Sequence, residues 1–145
     1  MKKIMINCSD CFAAYTFRLN LLKELKKKYD VSVLAAFDKF TPLLQSEGIR
    51  VIPFENNTTS IKIRDIWKQY RFYRRIFKNE EPDLLINYTI KPHLFGTLAA
   101  VRKTKIINFV SGIGTAFSQK NFTFKISRCL YRLLSHKVDY YIFLN

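Results

Sequence analysis

The fold is decided by residues 3–35, which read KIMINCSDCFAAYTFRLNLLKELKKKYDVSVLA. The apolar runs Lys3–Asn7 and Val31–Ala35 are continuous rather than alternating, as in strands that helices cover on both faces. The segment between them, Phe12–Lys28, places leucines at helical spacing. This strand–helix–strand unit predicts two parallel strands joined by a right-handed crossover.

The same alternation continues along the rest of the chain. Further apolar runs predict strands at Ile49–Pro53, Leu84–Asn87, Lys105–Val110 and Tyr140–Leu144. Segments with apolar residues at helical spacing predict helices at Phe40–Glu47, Ile61–Asn79, Leu94–Arg102 and Phe122–Lys137. The order βαβαβαβαβαβ with short links predicts an α/β fold, a doubly wound parallel sheet in a single Rossmann-like domain.

Composition limits the class of protein. The 145 residues suffice for one domain, and 48% of them are hydrophobic, which is enough to form a core. The formal charge of +14 indicates an anionic partner such as phosphate, nucleic acid or acidic lipid. No apolar stretch approaches the roughly 18–20 residues of a membrane span, and no secretory core follows Met1. We therefore expect a soluble or peripheral cytoplasmic protein without a disulfide framework.

Ligands of open α/β sheets bind beyond the carboxyl ends of the strands, so three loops are candidates. The first loop, Asn7–Phe12, lacks Gly-x-Gly-x-x-Gly, which argues against a nicotinamide or flavin cofactor. Cys8 and Cys11 have the spacing of a thiol-redox pair before a helix, but small residues that permit a tight turn are the favoured interpretation. The other Cys and His residues lack zinc-ligand spacing, so we predict neither a metal nor a cofactor.

The second loop, Asn87–His93, leads into a predicted helix with Pro92 in its first turn. Thr89 and Lys91 then lie beside a helix N-terminus, which suits a phosphate. A solvated lysine and a capping threonine are an alternative of equal weight. His93 would suit a general base near neutral pH, but a surface histidine is the favoured interpretation.

The third loop, Ser111–Phe117, follows a predicted buried strand. Gly112 and Gly114 would allow the backbone to approach a ligand closely there. The position of this Gly-x-Gly at a strand end, rather than the pair itself, makes the loop a candidate.

Two predicted helices are basic as well as amphipathic. Ordinary packing on the sheet accounts for their apolar stripes, whereas the excess charge and bordering aromatic residues suit an anionic membrane surface. Nucleic acid would use the same charges, but no helix-turn-helix or RNA-recognition aromatic motif accompanies them, so a membrane is favoured. The residues predicted to face it are Lys68, Arg71, Arg74, Arg75, Arg128 and Arg132.

Two loop sequences resemble motifs of the family 4-like glycosyltransferases. Residues 87–100, NYTIKPHLFGTLAA, resemble T-I-K-P-x-x-x-G-x-x-A-A, and residues 111–117, SGIGTAF, resemble the G-L-G-x-x-F segment that follows it. The opening strand and helix also resemble those of the family, so the resemblance covers nearly the whole chain. It is closest to the bacterial branch that adds sugars to lipid-linked oligosaccharide or O-antigen precursors.

The resemblance implies a GT-B architecture, in which two Rossmann-like domains face a cleft and a sugar is transferred with retention from a nucleotide sugar, without an obligatory metal. It also implies that the N-terminal domain holds the acceptor while its basic helices lie on the cytoplasmic face of the membrane. The residues that it assigns to the acceptor side are Ser9 and Phe12 in the first loop, Thr89 and Lys91 near the acceptor or its phosphates, and Gly112, Gly114 and Thr115 in the cleft wall.

We expect residues 1–145 to be the N-terminal domain of such an enzyme, without the nucleotide-sugar domain, and no residue is identified as catalytic. The leading hypothesis is the acceptor-binding half of a retaining glycosyltransferase for lipid-linked or polysaccharide acceptors in lipopolysaccharide or capsule synthesis. This half would be inactive alone and peripheral at the inner face of the cell membrane. The alternatives are a non-catalytic, membrane-recruiting subunit that binds a separate donor-binding chain, and a basic thiol-redox or nucleic-acid-binding domain.

Overall fold

The computed structural model describes residues 1–54, 63–111 and 122–144. The strands are β1 (Lys3–Asp10), β2 (Asp30–Ala36), β3 (Arg50–Pro53), β4 (Leu84–Tyr88), β5 (Lys105–Ser111) and β6 (Tyr140–Leu144). The helices are α1 (Cys11–Lys26), α2 (Thr41–Ser46), α3 (Ile63–Glu80), α4 (Thr97–Ala99) and α5 (Phe122–Leu134). A π-helical turn, Pro92–Gly96, precedes α4, and a 3-10 turn, Ser135–Lys137, follows α5.

The strands form one six-stranded sheet in the order β3-β2-β1-β4-β5-β6, and every neighbouring pair is parallel. The chain proceeds from β1 outward to β3, then crosses back to β4 and proceeds outward to β6. The order therefore reverses between β1 and β4, the place where open α/β sheets form a crevice at their carboxyl edge. This topology confirms the predicted doubly wound, Rossmann-like domain.

Separate cores cover the two faces of the sheet. On one face, Leu22 of α1 and Leu44 of α2 are fully buried against the strands. On the other face, Tyr73 and Phe77 of α3 are fully buried together with Ala99 of α4. Helix α5 lies on the second face as well, because Tyr131 contacts the π-helical turn. The two helices predicted to be basic therefore share one face.

Two elements differ from the sequence prediction. Strand β1 continues to Asp10, which pairs with Ala36 after a register irregularity, although the predicted strand ended at Asn7. The predicted helix Leu94–Arg102 is replaced by the π-helical turn and the short α4, because the backbone of Ala100 is extended with ψ of 146°. Within the described ranges, every helix is too short or too polar to cross a bilayer.

Candidate functional site

A row of buried asparagines crosses the sheet at the point where its order reverses. Asn7 of β1, Asn87 of β4 and Asn108 of β5 are register partners, and each is at most 2% exposed. The amide of Asn7 donates to Asn87 Oδ1 at 2.8 Å, and the amide of Asn87 donates to Asn108 Oδ1 at 2.9 Å. We call these three side chains the amide ladder. Because each buried amide has a partner, the ladder fixes the relative position of the three strands.

Helices on the second face close both ends of the amide ladder. The hydroxyl of Tyr73 donates to Asn7 Oδ1 at 3.3 Å, and the amide of Asn108 is 3.5 Å from Thr97 Oγ1. Gly96 lies directly on the ladder, since a Cβ at this position would collide with Asn87 Oδ1 and lie 2.8 Å from Asn7 Nδ2. The glycine of the T-I-K-P-x-x-x-G segment is therefore required for the π-helical turn to pack on the asparagines.

Sequence reasoning did not identify the amide ladder, although the sequence contains a signal for it. Residues 4–7, 84–87 and 105–108 read IMIN, LLIN and KIIN, so the same Ile-Asn pair recurs in three predicted strands. Buried parallel strands are apolar throughout, and a polar residue recurring at one position indicates contact between neighbouring strands. In the sequence prediction, Asn7 and Asn87 end their strands, whereas Asn108 lies within its strand.

His93, the last residue of the second loop, is 3% exposed, so the prediction of a surface histidine is wrong. Its Nε2 lies 3.1 Å from the carbonyl oxygens of both Asn87 and Phe109, and its Nδ1 lies 2.6 Å from the hydroxyl of Tyr131. Carbonyl oxygens only accept, so Nε2 carries the proton and Nδ1 accepts from Tyr131. The histidine thereby joins β4, β5 and α5.

The environment of His93 does not suit a general base. Burial lowers the pKa of the imidazole to about 4, against hydrogen bonds to the Phe109 and Asn87 carbonyls that raise it. The ring is therefore neutral near pH 7, and both of its nitrogens are already engaged. Its role is to hold the second loop and α5 together.

The first loop is closed by two carboxylates, one within the loop and one in the segment after β2. Asp10 accepts from the backbone N–H of Ala13 at 2.8 Å, and Asp38 accepts from the backbone N–H of Phe12 at 2.7 Å. Ser9, which is half-buried, donates to Asp10 Oδ2 at 2.9 Å. In dinucleotide-binding folds the N-terminus of the corresponding helix binds phosphate, but here carboxylates accept from two of the N–H groups at that end of α1.

The thiol-redox interpretation of Cys8 and Cys11 is wrong. Both side chains are buried, at 1% and 0% exposure. Burial raises the pKa of the Cys8 thiol to about 12 and also raises the pKa of Cys11. A reactive thiol needs a lowered pKa and solvent access, so these cysteines act as small core residues at the strand-to-helix turn.

Arg18 of α1 lies at the same edge of the sheet. Helix α1 is the one whose sequence resembles the first helix of the family. The guanidinium of Arg18 lies 4.3 Å from the centre of the Tyr88 ring and 5.7 Å from that of Phe109. The Tyr88 hydroxyl is buried and forms no hydrogen bond with any residue in the described ranges. Arg18 thus adds a half-buried cation to the carboxyl ends of β4 and β5.

The structure places the predicted acceptor-side residues that it describes at this carboxyl edge. Ser9 lies near the end of β1, and Thr89 and Lys91 follow β4 with exposed side chains. Thr89 has a φ of +71°, and its carbonyl accepts from the N–H of His93 at 3.0 Å. Phe12 is 46% exposed and packs edge-on against Phe40. Gly112, Gly114 and Thr115 lie outside the described residues.

The residues predicted for the membrane surface divide into two groups. Five have exposed side chains on α3 and α5, near the exposed apolar residues Trp67 and Leu133: Lys68, Arg71, Arg75, Arg128 and Arg132. Arg74 instead points toward α4, because its Nη1 donates to the carbonyls of Ala99 and Ala100 at 3.1 Å each. Arg74 therefore caps the C-terminal end of α4 rather than lying on the outer surface.

Comparisons with known proteins agree with this architecture. The family model described as glycosyl transferase 4-like matches residues 8–145. A protein from Campylobacter jejuni, N,N'-diacetylbacillosaminyl-diphospho-undecaprenol alpha-1,3-N-acetylgalactosaminyltransferase, is 29% identical over 139 residues, which is 90% of this chain and 37% of that protein.

Solved structures show the same fold at lower identity. MurG from Acinetobacter baumannii superimposes with a TM-score of 0.62 at 17% identity, over 99% of this chain and 41% of that one. The UDP-N-acetylglucosamine 2-epimerase from Rickettsia bellii gives 0.68 at 19%, over 100% and 39%. The chain thus spans about two-fifths of the length of these proteins. Because the family model covers nearly all of its residues, the chain belongs to the glycosyl transferase 4-like family.

Proposed function

We propose that this chain is the acceptor-binding half of a retaining glycosyltransferase. The enzyme would move a sugar from a nucleotide sugar to a lipid-linked or polysaccharide acceptor in cell-surface glycan synthesis. The observation that carries the proposal is the carboxyl end of β4 in a member of this family, where Arg18 lies over the Tyr88 ring and the exposed Thr89 and Lys91 follow the strand. The Campylobacter jejuni relative is named for an acceptor on undecaprenol diphosphate, which supports a lipid diphosphate as the acceptor class.

The residues at this edge suit an anionic acceptor. Lys91 and Arg18 supply positive charge, and the buried Tyr88 hydroxyl keeps its proton because burial raises its pKa to about 12. Phe12 and Ser9 would border the acceptor from the first loop. Gly112, Gly114 and Thr115 would form the cleft wall, as the family resemblance implies. The amide ladder and His93 would keep these loops in place without touching the acceptor.

A soluble, short-chain prenyl diphosphate carrying an N-acetylated sugar tests the acceptor assignment by calorimetric titration. The wild-type chain should bind it, and Lys91→Ala should weaken binding about tenfold through the lost charge. Lys28→Ala removes an exposed lysine at the opposite edge of the sheet and should stay within twofold. Equal affinities in all three proteins would contradict the proposal.

Transfer should require a donor site beyond residues 1–145, since the relatives are more than twice as long. We expect no product when the purified chain is mixed with nucleotide sugars and the acceptor. Glycosylated acceptor formed by this chain alone, measured by mass spectrometry, would contradict its assignment as one half of the enzyme.

The proposed site of action is the inner face of the cell membrane. The exposed cations of α3 and α5 lie on one face of the sheet together with exposed Trp67 and Leu133, a combination that suits an anionic lipid surface. Arg71→Glu with Arg75→Glu should release the chain from vesicles containing phosphatidylglycerol at low salt. The control, Lys27→Glu with Lys28→Glu, makes the same charge change just after the end of α1. Equal sedimentation of both variants would reject this surface.

One observation favours the alternative of a subunit that binds a separate donor-binding chain. The edge strand β6 exposes large apolar residues, with Tyr140 68%, Ile142 37% and Phe143 61% accessible. Exposed apolar edge strands are common docking surfaces. A tagged chain should then copurify with a protein that has a nucleotide-sugar domain and restores transfer, and Phe143→Ser should abolish both. Restored transfer that is insensitive to Phe143→Ser would exclude this edge.

A further inference from the structure

A groove opens on the α3 and α5 face at the amino edge of the sheet, away from the carboxyl edge described above. Its volume is about 510 Å³, within the range of ligand pockets. Tyr70 and Arg74 of α3 form one wall, and the residues after α4, with Lys137 of the 3-10 turn, form the other side. None of the residues proposed to bind the acceptor lines this groove.

The groove exists because α4 is short. Helix α3 has 18 residues and α5 has 13, whereas α4 ends after Ala99. The chain then continues through Arg102 and Lys103 to the start of β5. The space between the two long helices is therefore left open over the amino ends of β5 and β6.

The lining of the groove is strongly positive. Lys105 forms an ion pair with Asp139 at 2.8 Å, which neutralises both groups. The remaining cations in the lining are Arg74, Arg102, Lys103 and Lys137. Among the residues that the structure describes, none of these four forms an ion pair with a carboxylate. Four cations around one concave surface attract anions more strongly than the same charges on a convex surface.

Arg74 is held in position by the protein itself. Its Nη1 donates to the carbonyls of Ala99 and Ala100 at 3.1 Å each, and the side chain is half-buried. These bonds fix the guanidinium plane in the groove wall. In the described part of the chain, its Nε and Nη2 make no hydrogen bond, so both remain for a ligand. A fixed planar guanidinium with two free donors suits the oxygens of a phosphate.

We propose that this groove binds a phosphate group, with Arg74, Arg102 and Lys103 as its ligands. The site lies at the edge of the sheet opposite the proposed acceptor-binding residues, so it is separate from the transfer reaction. Two sources supply this chemistry, namely the headgroup of an anionic phospholipid and a soluble phosphate compound. Leu98, 39% exposed in the lining, gives the groove an apolar border that an acyl chain would contact.

The test compares the full chain with Arg102→Gln/Lys103→Gln and with the control Lys27→Gln/Lys28→Gln. The first variant removes two exposed groove cations in the link between α4 and β5, and the control removes two exposed lysines at the end of α1. One probe is inorganic pyrophosphate, measured by calorimetry. The other is phosphatidylcholine vesicles with and without phosphatidylglycerol, measured by sedimentation. The groove variant should bind at least one probe about tenfold more weakly, and the control should change less than twofold.

The pattern of loss identifies the source of the phosphate. Loss on vesicles alone indicates a lipid headgroup, and loss on pyrophosphate indicates a soluble compound. The inference is overturned if the wild type binds neither probe, or if both variants lose binding equally, since charge alone would then explain the effect. Release from vesicles by the Arg71/Arg75 variant, with full binding of both vesicles and pyrophosphate by the groove variant, would overturn it while leaving the proposed membrane surface intact.

Discussion

The two edges of the sheet differ in where their polar groups find partners. At the carboxyl edge, the amide ladder, His93 and the carboxylates of the first loop bond to each other or to backbone groups inside the domain. At the amino edge beside β5 and β6, cations line a groove in which the described residues offer Asp139 as the one acidic partner. Internal partners give rigidity, whereas charges without partners act on other molecules. The hydrogen-bonded groups of the first edge therefore hold its loops in place, whereas the groove cations of the second are left to attract anions.

Breaking the amide ladder should have the largest effect on stability. Asn87→Ala leaves the amide of Asn7 and the carbonyl oxygen of Asn108 buried without their partner, and it creates a cavity. We expect a loss of about 3–5 kcal/mol in the free energy of unfolding, measured by urea denaturation. The exposed Asn20 on α1 provides the control, since Asn20→Ala should change stability by less than about 0.5 kcal/mol. Equal losses of unfolding free energy for Asn87→Ala and Asn20→Ala would show that the ladder stabilises the fold no more than an exposed asparagine does.

Acid should weaken the same edge through His93. The imidazole binds a proton near its ordinary pKa of 6.5 in the unfolded chain but near 4 in the folded one. Lowering the pH across this window therefore favours unfolding, by up to about 3 kcal/mol, and no loss from this group is expected above pH 6.5.

The histidine's share of the acid effect can be isolated by substitution. Because Glu80 and Asp139 also have lowered pKa values, carboxylates contribute to acid unfolding as well. His93→Gln keeps a donor at this position but does not titrate, so its unfolding free energy should fall less between pH 6.5 and 4 than that of the wild type. Parallel curves for the two proteins would show that the burial of His93 does not determine the acid response.

Disturbing the contact between the π-helical turn and the amide ladder should lower the unfolding free energy less than Asn87→Ala does. Gly96 has a helical φ of −60°, and alanine favours helix over glycine by about 1 kcal/mol, so backbone conformation predicts that Gly96→Ala stabilises. The collision of the new Cβ with Asn87 Oδ1 predicts a net loss of about 2 kcal/mol instead. A double-mutant cycle with Asn87→Ala, measured by urea denaturation, distinguishes the two predictions. The loss of unfolding free energy caused by Gly96→Ala should be smaller once the Asn87 side-chain amide is absent.

The sequence predicted the fold better than it predicted the contacts at the carboxyl edge, because the fold follows from local patterns and those contacts do not. Continuous apolar runs and helical spacing are local, so the six strands and their order of appearance could be predicted within a few residues. The contacts of His93 come from β4, β5 and α5, which lie far apart in the chain, and nothing local distinguishes such a histidine from an exposed one.

The arginines predicted to face a membrane show the same limit. Arg74 and Arg75 are adjacent basic residues of an amphipathic helix, yet one donates to the end of α4 and the other is exposed. Their roles depend on where α4 ends, and α4 ends early because of Ala100, which the pattern of the predicted helix did not reveal. The sequence therefore places many cations on α3 and α5, but it does not show which of them remain exposed.

Substitution at the amino edge should cause the smallest change in stability. Arg102→Gln/Lys103→Gln should change the unfolding free energy by less than about 0.5 kcal/mol, because neither exposed cation has an ionic partner in the described ranges. Any change should be a gain, since the chain carries a formal charge of +14 and removing two cations relieves repulsion. Urea denaturation at low and high salt checks this, because screening should abolish the gain. A loss above 1 kcal/mol that salt does not alter would mean that this edge, like the carboxyl edge, holds its polar groups for stability.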